Sequence, residues 1–247
     1  FISFLNLCSF DFNESIEFML EILYQDDYLV AINKPHGLLV HRSPIAKDVI
    51  EFAIQMLRNQ IDRYVYPCHR LDRKTSGVLL FAKDKETQAT MNALFQERKI
   101  DKEYIAIVRG WTDDQTHIDY ALTNDNGVLQ DAVTDLITLD RSEVDVALGK
   151  YSTQRYSLVL LKPLTGRMHQ LRKHMAHLRH PIIGDRPHGC NKQNKLFKDR
   201  WKMMTMMLHA RELRLPDPFG ITMNASHSSE YARVLSTLEL SYHKGRI

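Results

Sequence analysis

One carboxylate of this sequence stands among an unusual concentration of cations. Asp72 lies within His69–Gly77, HRLDRKTSG, with basic side chains on both sides and a turn sequence after it. Neighbouring positive charge favours the ionised form of a carboxyl group, so Asp72 is expected to be charged at neutral pH and available as a nucleophile or a base. The alternative is an aspartate that caps the next segment or forms a surface ion pair, since such pairs perturb pKa values without doing chemistry.

A second string of reactive side chains, KPLTGRMHQLRKHMAHLRH, runs from Lys162 to His180. Its pattern predicts a strand end, a tight Thr-Gly turn and a helix from Met168 to Leu178. The backbone N–H groups and the dipole at such a helix start, beside Arg167, suit a phosphate. The side chains that together can hold both a phosphate and a carboxylate are Arg167, His169, Arg172 and Lys173.

The plainer interpretation of this helix is an amphipathic segment with a solvated basic face, and we prefer it for His174, His177 and His180. A metal needs His pairs with an acidic or cysteine partner, and His169, His174 and His177 do not share one helix face, so no metal is expected. The three cysteines form no CxxC pair, which disfavours a disulfide framework and indicates a reducing cytoplasm. A protein-kinase catalytic loop is also excluded, because a leucine interrupts the His-Arg-Asp triplet.

A third string, DKEYIAIVRG at Asp101–Gly110, places a tyrosine at the start of a predicted strand. A tyrosine at a strand end is more often part of the core or its rim than of an active site. Beside a basic cleft, however, the flat ring of Tyr104 offers a surface on which an unstacked base can stack.

Charge is distributed unevenly along the 247 residues, although the formal net charge is only +3. Residues 162–202 hold eleven Lys or Arg against two Asp, whereas the other 206 residues hold 22 basic and 28 acidic side chains. An acidic body with one basic face is typical of a protein that meets a polyanion, although a solvated charged surface has the same composition.

Short strands interleaved with helices must position these strings. Strands are predicted within Glu21–Asn33 and at Val78–Lys83, Tyr104–Val108 and Tyr156–Lys162, and helices at Ile50–Ile61 and Lys85–Arg98. Leu136–Lys150 shows little apolar periodicity and is predicted to contain a loop. No repeat or linker divides the chain, so we expect one α/β (α+β) domain with a mixed, mainly antiparallel sheet flanked by helices around a basic cleft.

The N-terminal segment is interpreted as an extension outside the fold. Residues 1–18 are apolar and aromatic but lack the basic start of a secretory signal, and Met19 is the first methionine, so we expect the domain over residues 19–243. No stretch approaches the roughly 18 apolar residues of a membrane-spanning helix, so no membrane partner is expected.

Four motifs, in this order, resemble those of the RluA-type pseudouridine synthases. They are NKPHGLLVH (Asn33–His41), HRLDRKTSG (His69–Gly77), KEYIAIVRG (Lys102–Gly110) and LTGRMHQLRKHMAHLRHPIIGD (Leu164–Asp185). The resemblance covers about Met19 to Pro218 and implies a pseudouridine synthase catalytic domain with no S4 RNA-binding domain ahead of it. Within the family the likeness is greatest to tRNA-modifying members.

The resemblance also implies roles for individual residues. Asp72 corresponds to the catalytic aspartate, Arg172 to its partner and Tyr104 to the residue stacked against the target base. Arg70 corresponds to the arginine that family members place in the duplex gap left by that base. The expected substrate-binding residues are Arg70, Arg167, Gln170 and Lys173, of which Arg167 and Gln170 are assigned to backbone binding or local structure.

The implied function is the isomerisation of uridine to pseudouridine in tRNA, at position 65, without a cofactor. The basic segment then lines the RNA cleft beside Asp72. The absence of a dimerisation heptad makes a monomer the default expectation. Two alternatives stay open: a synthase of the same family that acts on ribosomal RNA, and a noncatalytic RNA-binding protein.

Overall fold

The structure, a computed structural model, describes residues 19–41 and 51–242 of the chain. The strands in these ranges are β1 (Glu21–Gln25), β2 (Leu29–Lys34), β3 (Tyr66–Pro67), β4 (Ser76–Ala82), β5 (Asp101–Arg109), β6 (Gln115–Asp119), β7 (Leu122–Thr123), β8 (Leu129–Gln130), β9 (Val133–Val144), β10 (Gln154–Pro163), β11 (Leu208–Arg214) and β12 (Thr222–Asn224). The helices are α1 (Ala53–Ile61), α2 (Lys85–Gln96), α3 (Gln170–His177), α4 (Asn191–Trp201) and α5 (Ser229–Thr237). The predicted extension 1–18 and residue 243 lie outside the described residues.

A ten-stranded sheet forms the centre of the described fold. Its order is β1-β2-β4-β11-β5-β10-β9-β6, with β12 beside β11 and β3 beside β4. The pairings are antiparallel except for β4 with β11, which run parallel where Ser76 and Gly77 face His209 and Ala210. The prediction of a mixed, mainly antiparallel sheet flanked by helices is therefore confirmed.

Helices cover both faces of the sheet, because alternate residues of a strand point to opposite sides. In β5, Ile105 packs in a cluster with α4 and α5, whereas Ala106 packs in a cluster with α3. In β4, Leu79 packs with α1 and Leu80 with α2. Strand β11, which comes late in the chain, lies between β4 and β5 and thereby brings their ends close together.

Two predicted segments have different bounds in the structure. Leu136–Lys150, predicted to contain a loop, does so after Val144, but its first part belongs to strand β9, which pairs with β10 over ten positions. Most side chains of β9 are only partly buried, so this backbone ladder leaves little apolar periodicity in the sequence. The helix predicted from Met168 starts at Gln170, because His169 has a left-handed φ of 55° that interrupts the helical backbone.

None of the helices in the described ranges is long and apolar enough to cross a membrane.

Candidate active site

Asp72 lies in a turn between β3 and β4 that a second loop holds in place. The Asp72 carbonyl accepts a hydrogen bond from the Thr75 N–H at 3.0 Å. The Arg73 carbonyl accepts from the Gly37 N–H at 2.8 Å and from the Lys34 ammonium at 3.2 Å. The first sequence motif, which contains Lys34 and Gly37, therefore supports the turn that carries the aspartate.

Lys34 is a site residue that the sequence analysis missed. Its side chain is completely buried, and its ammonium also donates to the carbonyls of Pro35 and Leu38. Burial lowers the pKa of Lys34 to about 7, and the negative charge of Asp72 opposes this shift. Only its place in the family motif pointed to Lys34, because a lysine at a strand end usually lies in solvent.

An arginine joins Asp72 to a second, buried carboxylate. Arg172, from α3, donates from Nη1 to Asp72 Oδ2 at 2.8 Å. The same guanidinium donates to Asp185, from Nε to Oδ2 at 2.7 Å and from Nη2 to Oδ1 at 2.8 Å. The structure thus brings Asp72 and Arg172 together, as the resemblance implied, whereas the role of Asp185 was not foreseen.

The Asp72 carboxylate faces a cavity of about 690 Å³, within the usual size range of ligand pockets of about 300–1,000 Å³. Five of the expected site residues line this cavity with Asp72: Arg70, Tyr104, Arg167, Gln170 and Arg172. Helix α2, the turn after it and the start of β5 contribute further lining residues to which the sequence assigned no role, namely Asn92, Phe95, Arg98 and Lys102. The sequence shows that Phe95 is apolar, but it does not show that this side chain borders a cavity.

Tyr104 is the fourth residue of β5, whereas the sequence predicted that the strand would begin with it. It faces Leu161 of β10 and Ala210 of β11 in the sheet, and its ring borders the cavity. Burial and the charge of Asp72 both raise the pKa of Tyr104. Its side chain therefore presents a neutral phenol ring to the cavity.

The structure favours local structure over direct RNA contact for Gln170. Its Oε1 accepts from Thr165 Oγ1 at 2.6 Å and from the Arg167 N–H at 2.9 Å, and its Nε2 donates to the Val133 carbonyl and to Thr134 Oγ1. All four hydrogen-bonding positions of the amide are thus used within the protein. The same contact takes up the Arg167 N–H that was expected to face a phosphate.

The other expected binding residues differ in position. Arg70 is exposed at the cavity, whereas the guanidinium of Arg167 donates to the Asp131 carbonyl at 2.9 Å. Lys173 is not among the residues that line the cavity, and its ammonium donates to the Thr123 carbonyl at 3.1 Å. Lys173 therefore ties α3 to β7.

The solvated position preferred for His174 was wrong. Its side chain is fully buried, with Nδ1 3.0 Å from Thr134 Oγ1 and Nε2 3.0 Å from the Tyr120 carbonyl. His177 is exposed and stacks on Tyr120. The polar partners of His174 lie 40 and 54 positions away along the chain, so helix spacing alone could not reveal its burial.

Within the described residues, no cluster of three or more His, Cys, Asp or Glu is suited to holding a metal ion. Cys68 lines the cavity but is buried, and burial raises the pKa of its thiol to about 12. A thiol with that pKa is protonated at neutral pH and is a poor nucleophile.

Comparison with known proteins identifies related sequences. The family model described as RNA pseudouridylate synthase matches residues 28–177. The tRNA pseudouridine synthase C of Vibrio parahaemolyticus is 46% identical over 234 residues, which are 89% of this chain and 95% of that protein. The tRNA pseudouridine synthase C of Yersinia pestis is 44% identical over 232 residues, 88% of this chain and 90% of that protein.

Solved structures show the same architecture. Human RNA Pseudouridylate Synthase Domain Containing 4 superposes with a TM-score of 0.70 and 29% identity, over 90% of this chain and 94% of that one. Human RNA Pseudouridylate Synthase Domain Containing 1 gives a TM-score of 0.64 and 27% identity, over 90% and 96%. The chain therefore belongs to the RNA pseudouridylate synthase family, whose members isomerise uridine in RNA to pseudouridine.

Proposed function

We propose that this protein isomerises a uridine of tRNA, at position 65, with Asp72 as the catalytic carboxylate. The observation that carries the proposal is the placement of Asp72, paired with Arg172 and facing a cavity of nucleotide size. The relatives named tRNA pseudouridine synthase C, which match most of the chain, support tRNA as the substrate.

The reaction requires few groups beyond a binding site that holds the base and a reactive carboxylate. The bond between N1 and C1′ breaks, the uracil turns, and a bond forms between C5 and C1′ while the C5 proton is lost and N1 gains one. Substrate and product have the same composition, so no group donor and no redox cofactor is needed. The protein must extract the base, hold it during the turn and manage charge at the sugar.

Asp72 acts either by attacking C1′ or by removing the proton at C2′. Both routes use the Asp72 carboxylate, which Arg172 holds through a charge-assisted hydrogen bond of 2.8 Å. Of the two carboxylate oxygens of Asp72, Oδ2 is the one that Arg172 engages. The two routes share this arrangement of residues.

Tyr104 and Arg70 serve the extracted base in this proposal. The neutral ring of Tyr104 borders the cavity and provides a face on which uracil stacks. The exposed Arg70 lies at the cavity lining, where it can take the place of the base that has left the stack. Extraction costs a few kcal/mol, which contacts of this kind offset.

A second basic surface provides a further place for the RNA backbone. It borders a groove of about 490 Å³ and comprises the exposed side chains of Arg186, Lys195 and Lys198. None of these three has an ion-pair partner within 4.0 Å among the described residues. We call these residues the α4 surface and assign phosphate binding to them.

The α4 surface is tied to the catalytic centre. Asn194 of α4 donates to the Asp185 carbonyl at 2.6 Å and accepts from the Gly184 N–H at 2.9 Å. Burial lowers the pKa of Lys74, in the Asp72 turn, and the positive charge of Arg186 adds to this shift. Positive charge therefore continues from the cavity to α4, and an RNA that crosses this face can reach Asp72.

Pseudouridine mapping in cells tests the proposal. In cells that lack the gene, we expect one pseudouridine to disappear from tRNA at position 65 and to return with the wild type or with Asp135→Asn, a variant at an exposed ion pair. Asp72→Asn should not restore it, although the purified variant should still bind tRNA.

Other outcomes contradict the proposal. Loss of a pseudouridine from ribosomal RNA alone would identify the ribosomal alternative. Unchanged modification of both RNAs, with tRNA binding intact, would identify a noncatalytic RNA-binding protein. Restoration by Asp72→Asn would exclude Asp72 as the catalytic group. The cytoplasmic location, the monomeric state and the domain boundaries of 19–243 stay predictions.

A further inference from the structure

Two histidines close a ring of polar contacts around the catalytic groups. His169 Nδ1 lies 3.0 Å from His188 Nε2, and His169 Nε2 lies 3.8 Å from Asp72 Oδ1. The backbone N–H of His188 donates to Asp185 Oδ1 at 3.3 Å, and Asp185 holds Arg172, which returns to Asp72. The mechanism above uses neither histidine.

The backbone of His169 is unusual for this position. Its φ of 55° lies in the left-handed region, which residues other than glycine seldom adopt, and it directly precedes α3. Its ring borders the cavity, and 28% of its side chain is exposed. Strained conformations of this kind persist where the surroundings enforce them, which is often at active sites.

Electrostatics select one arrangement of protons in the pair. Burial lowers the pKa of both His169 and His188, so both imidazoles are neutral at neutral pH and each carries one N–H. The charged groups that act on the pair are Asp72, Asp185, Arg172 and Lys173. Of the two carboxylates, only that of Asp72 lies within 4.0 Å of His169 Nε2, so the proton of His169 belongs on Nε2.

The partner follows from this choice. With its proton on Nε2, His169 can only accept at Nδ1, so His188 must donate from Nε2. The opposite arrangement would leave a lone pair of His169 directed at a negative oxygen. The pair therefore has one consistent direction: His188 donates a hydrogen bond to His169, and His169 directs its Nε2–H at Asp72.

We propose that His169 is a positioning residue for the Oδ1 atom of Asp72 and that His188 fixes its tautomer. The proposal rests on the proposed function and adds residues to it. Arg172 holds Oδ2, and the His169 Nε2–H stands 3.8 Å from Oδ1, longer than a hydrogen bond but close enough for electrostatic attraction to the carboxylate. The two donors together fix the orientation of the carboxylate towards the sugar.

Paired substitutions separate hydrogen bonding from packing. Glutamine preserves an N–H donor near the place of Nε2, whereas leucine removes it. We expect His169→Leu and His188→Leu each to lower kcat by about 10-fold to 100-fold, as displaced catalytic groups do, with KM within about 2-fold of wild type. His169→Gln and His188→Gln should recover most of that loss.

Two further readouts distinguish positioning from a merely structural role. The double leucine variant should be no slower than the slower single variant, because both changes break one chain of hydrogen bonds. The wild-type kcat should fall at acid pH as the pair gains a proton, and in His169→Gln that fall should move to lower pH, because glutamine does not titrate.

The proposal fails if the leucine variants turn over like wild type, or if folded glutamine variants are as slow as the leucine ones. If the leucine variants do not fold, ¹⁵N shifts of the wild-type imidazoles decide the question. Those shifts should show a neutral His169 with its proton on Nε2, and a proton on Nδ1 would overturn the assignment. A wild-type protein that forms no pseudouridine in any RNA would instead refute the proposed function.

Discussion

Arg172 holds Asp185 through two parallel hydrogen bonds, of 2.7 Å from Nε and 2.8 Å from Nη2. Their side chains are 7% and 1% exposed, so this is a buried ion pair. The bidentate contact sets the plane of the guanidinium and aims its remaining nitrogen at Asp72. Asp185 thus positions the catalytic carboxylate through Arg172.

Asp185→Asn should therefore impair catalysis and stability together. The amide offers only one acceptor oxygen and no charge, so Arg172 loses its bidentate contact and stays buried. We expect kcat to fall at least about 10-fold and the free energy of unfolding to fall by about 3 kcal/mol, as for broken buried pairs. Turnover assays and urea denaturation measure the two effects.

The control for this variant is Asp135→Asn, which removes the same charge from a pair with His117 at the surface. Its kcat and stability should stay close to wild type, because exposed pairs contribute little. Wild-type turnover by Asp185→Asn would contradict the positioning role.

Gly77→Ala should unfold the region around the Asp72 turn. Gly77 has a φ of 110°, and a Cβ atom there would overlap the carbonyl oxygen of Ala210, where β4 meets β11. We expect a loss of more than about 3 kcal/mol in urea denaturation, from backbone strain and overpacking together.

Gly127→Ala is the matched control. Gly127 has a φ of 78°, but a Cβ atom there would meet no atom within 4 Å among the described residues, its chain neighbours aside. Its substitution should cost only the strain of a left-handed residue, about 1–2 kcal/mol. Equal losses in the two variants would show that the contact with Ala210 does not matter.

Acid should destabilise the protein through His209. Its ring is 1% exposed, lies between Ser76 Oγ and the Ala225 carbonyl, and burial lowers its pKa to about 4. In the unfolded chain the imidazole of His209 takes up a proton near pH 6.5, whereas in the folded protein it takes one up only near pH 4. The free energy of unfolding should therefore fall as pH drops through this window, by about 3 kcal/mol.

His209→Gln tests this assignment, because glutamine hydrogen-bonds without titrating. Urea denaturation between pH 7 and pH 4 should show a shallower loss of stability than in wild type. His117→Gln, at an exposed histidine, should keep the wild-type slope. A slope unchanged in His209→Gln would rule out His209 as the main acid-sensitive group.

Lys195→Ala and Lys198→Ala should weaken RNA binding in a salt-dependent way. When a phosphate contact is lost, RNA binding releases fewer counterions. The slope of log Kd against log salt should therefore fall by about 0.7–0.9 per lysine. Binding titrations between about 50 and 200 mM salt measure this slope. Lys85→Ala, at the far end of α2 from the cavity, should leave it unchanged, and a similar effect in all three variants would exclude a specific α4 surface.

Much of the sheet was predictable from local pattern. Strands β2, β4, β5 and β10 each contain a continuous run of apolar residues, because they lie in the buried centre of the sheet. Strand β9 was not predictable, because it is held by backbone pairing with β10 while most of its side chains are only partly buried. Backbone hydrogen bonds are the same for every residue type and leave little sign in the sequence.

The site divides in the same way. Residue types and their order, compared with family motifs, pointed to Asp72, Tyr104 and Arg172, and the excess of cations pointed to a polyanion. Their chemistry is a property of the side chains and survives in a linear sequence. The sequence therefore determined what this protein can react with.

Tertiary structure decided how these groups are arranged. Strand β11 enters between β4 and β5, and through this order the turn of Asp72 meets α3 and Asp185. Lys34 and His174 are buried against hydrogen-bond partners that come from segments distant in the sequence. Hydrogen bonds and ion pairs act over a few ångströms in space, and separation along the chain says almost nothing about that distance.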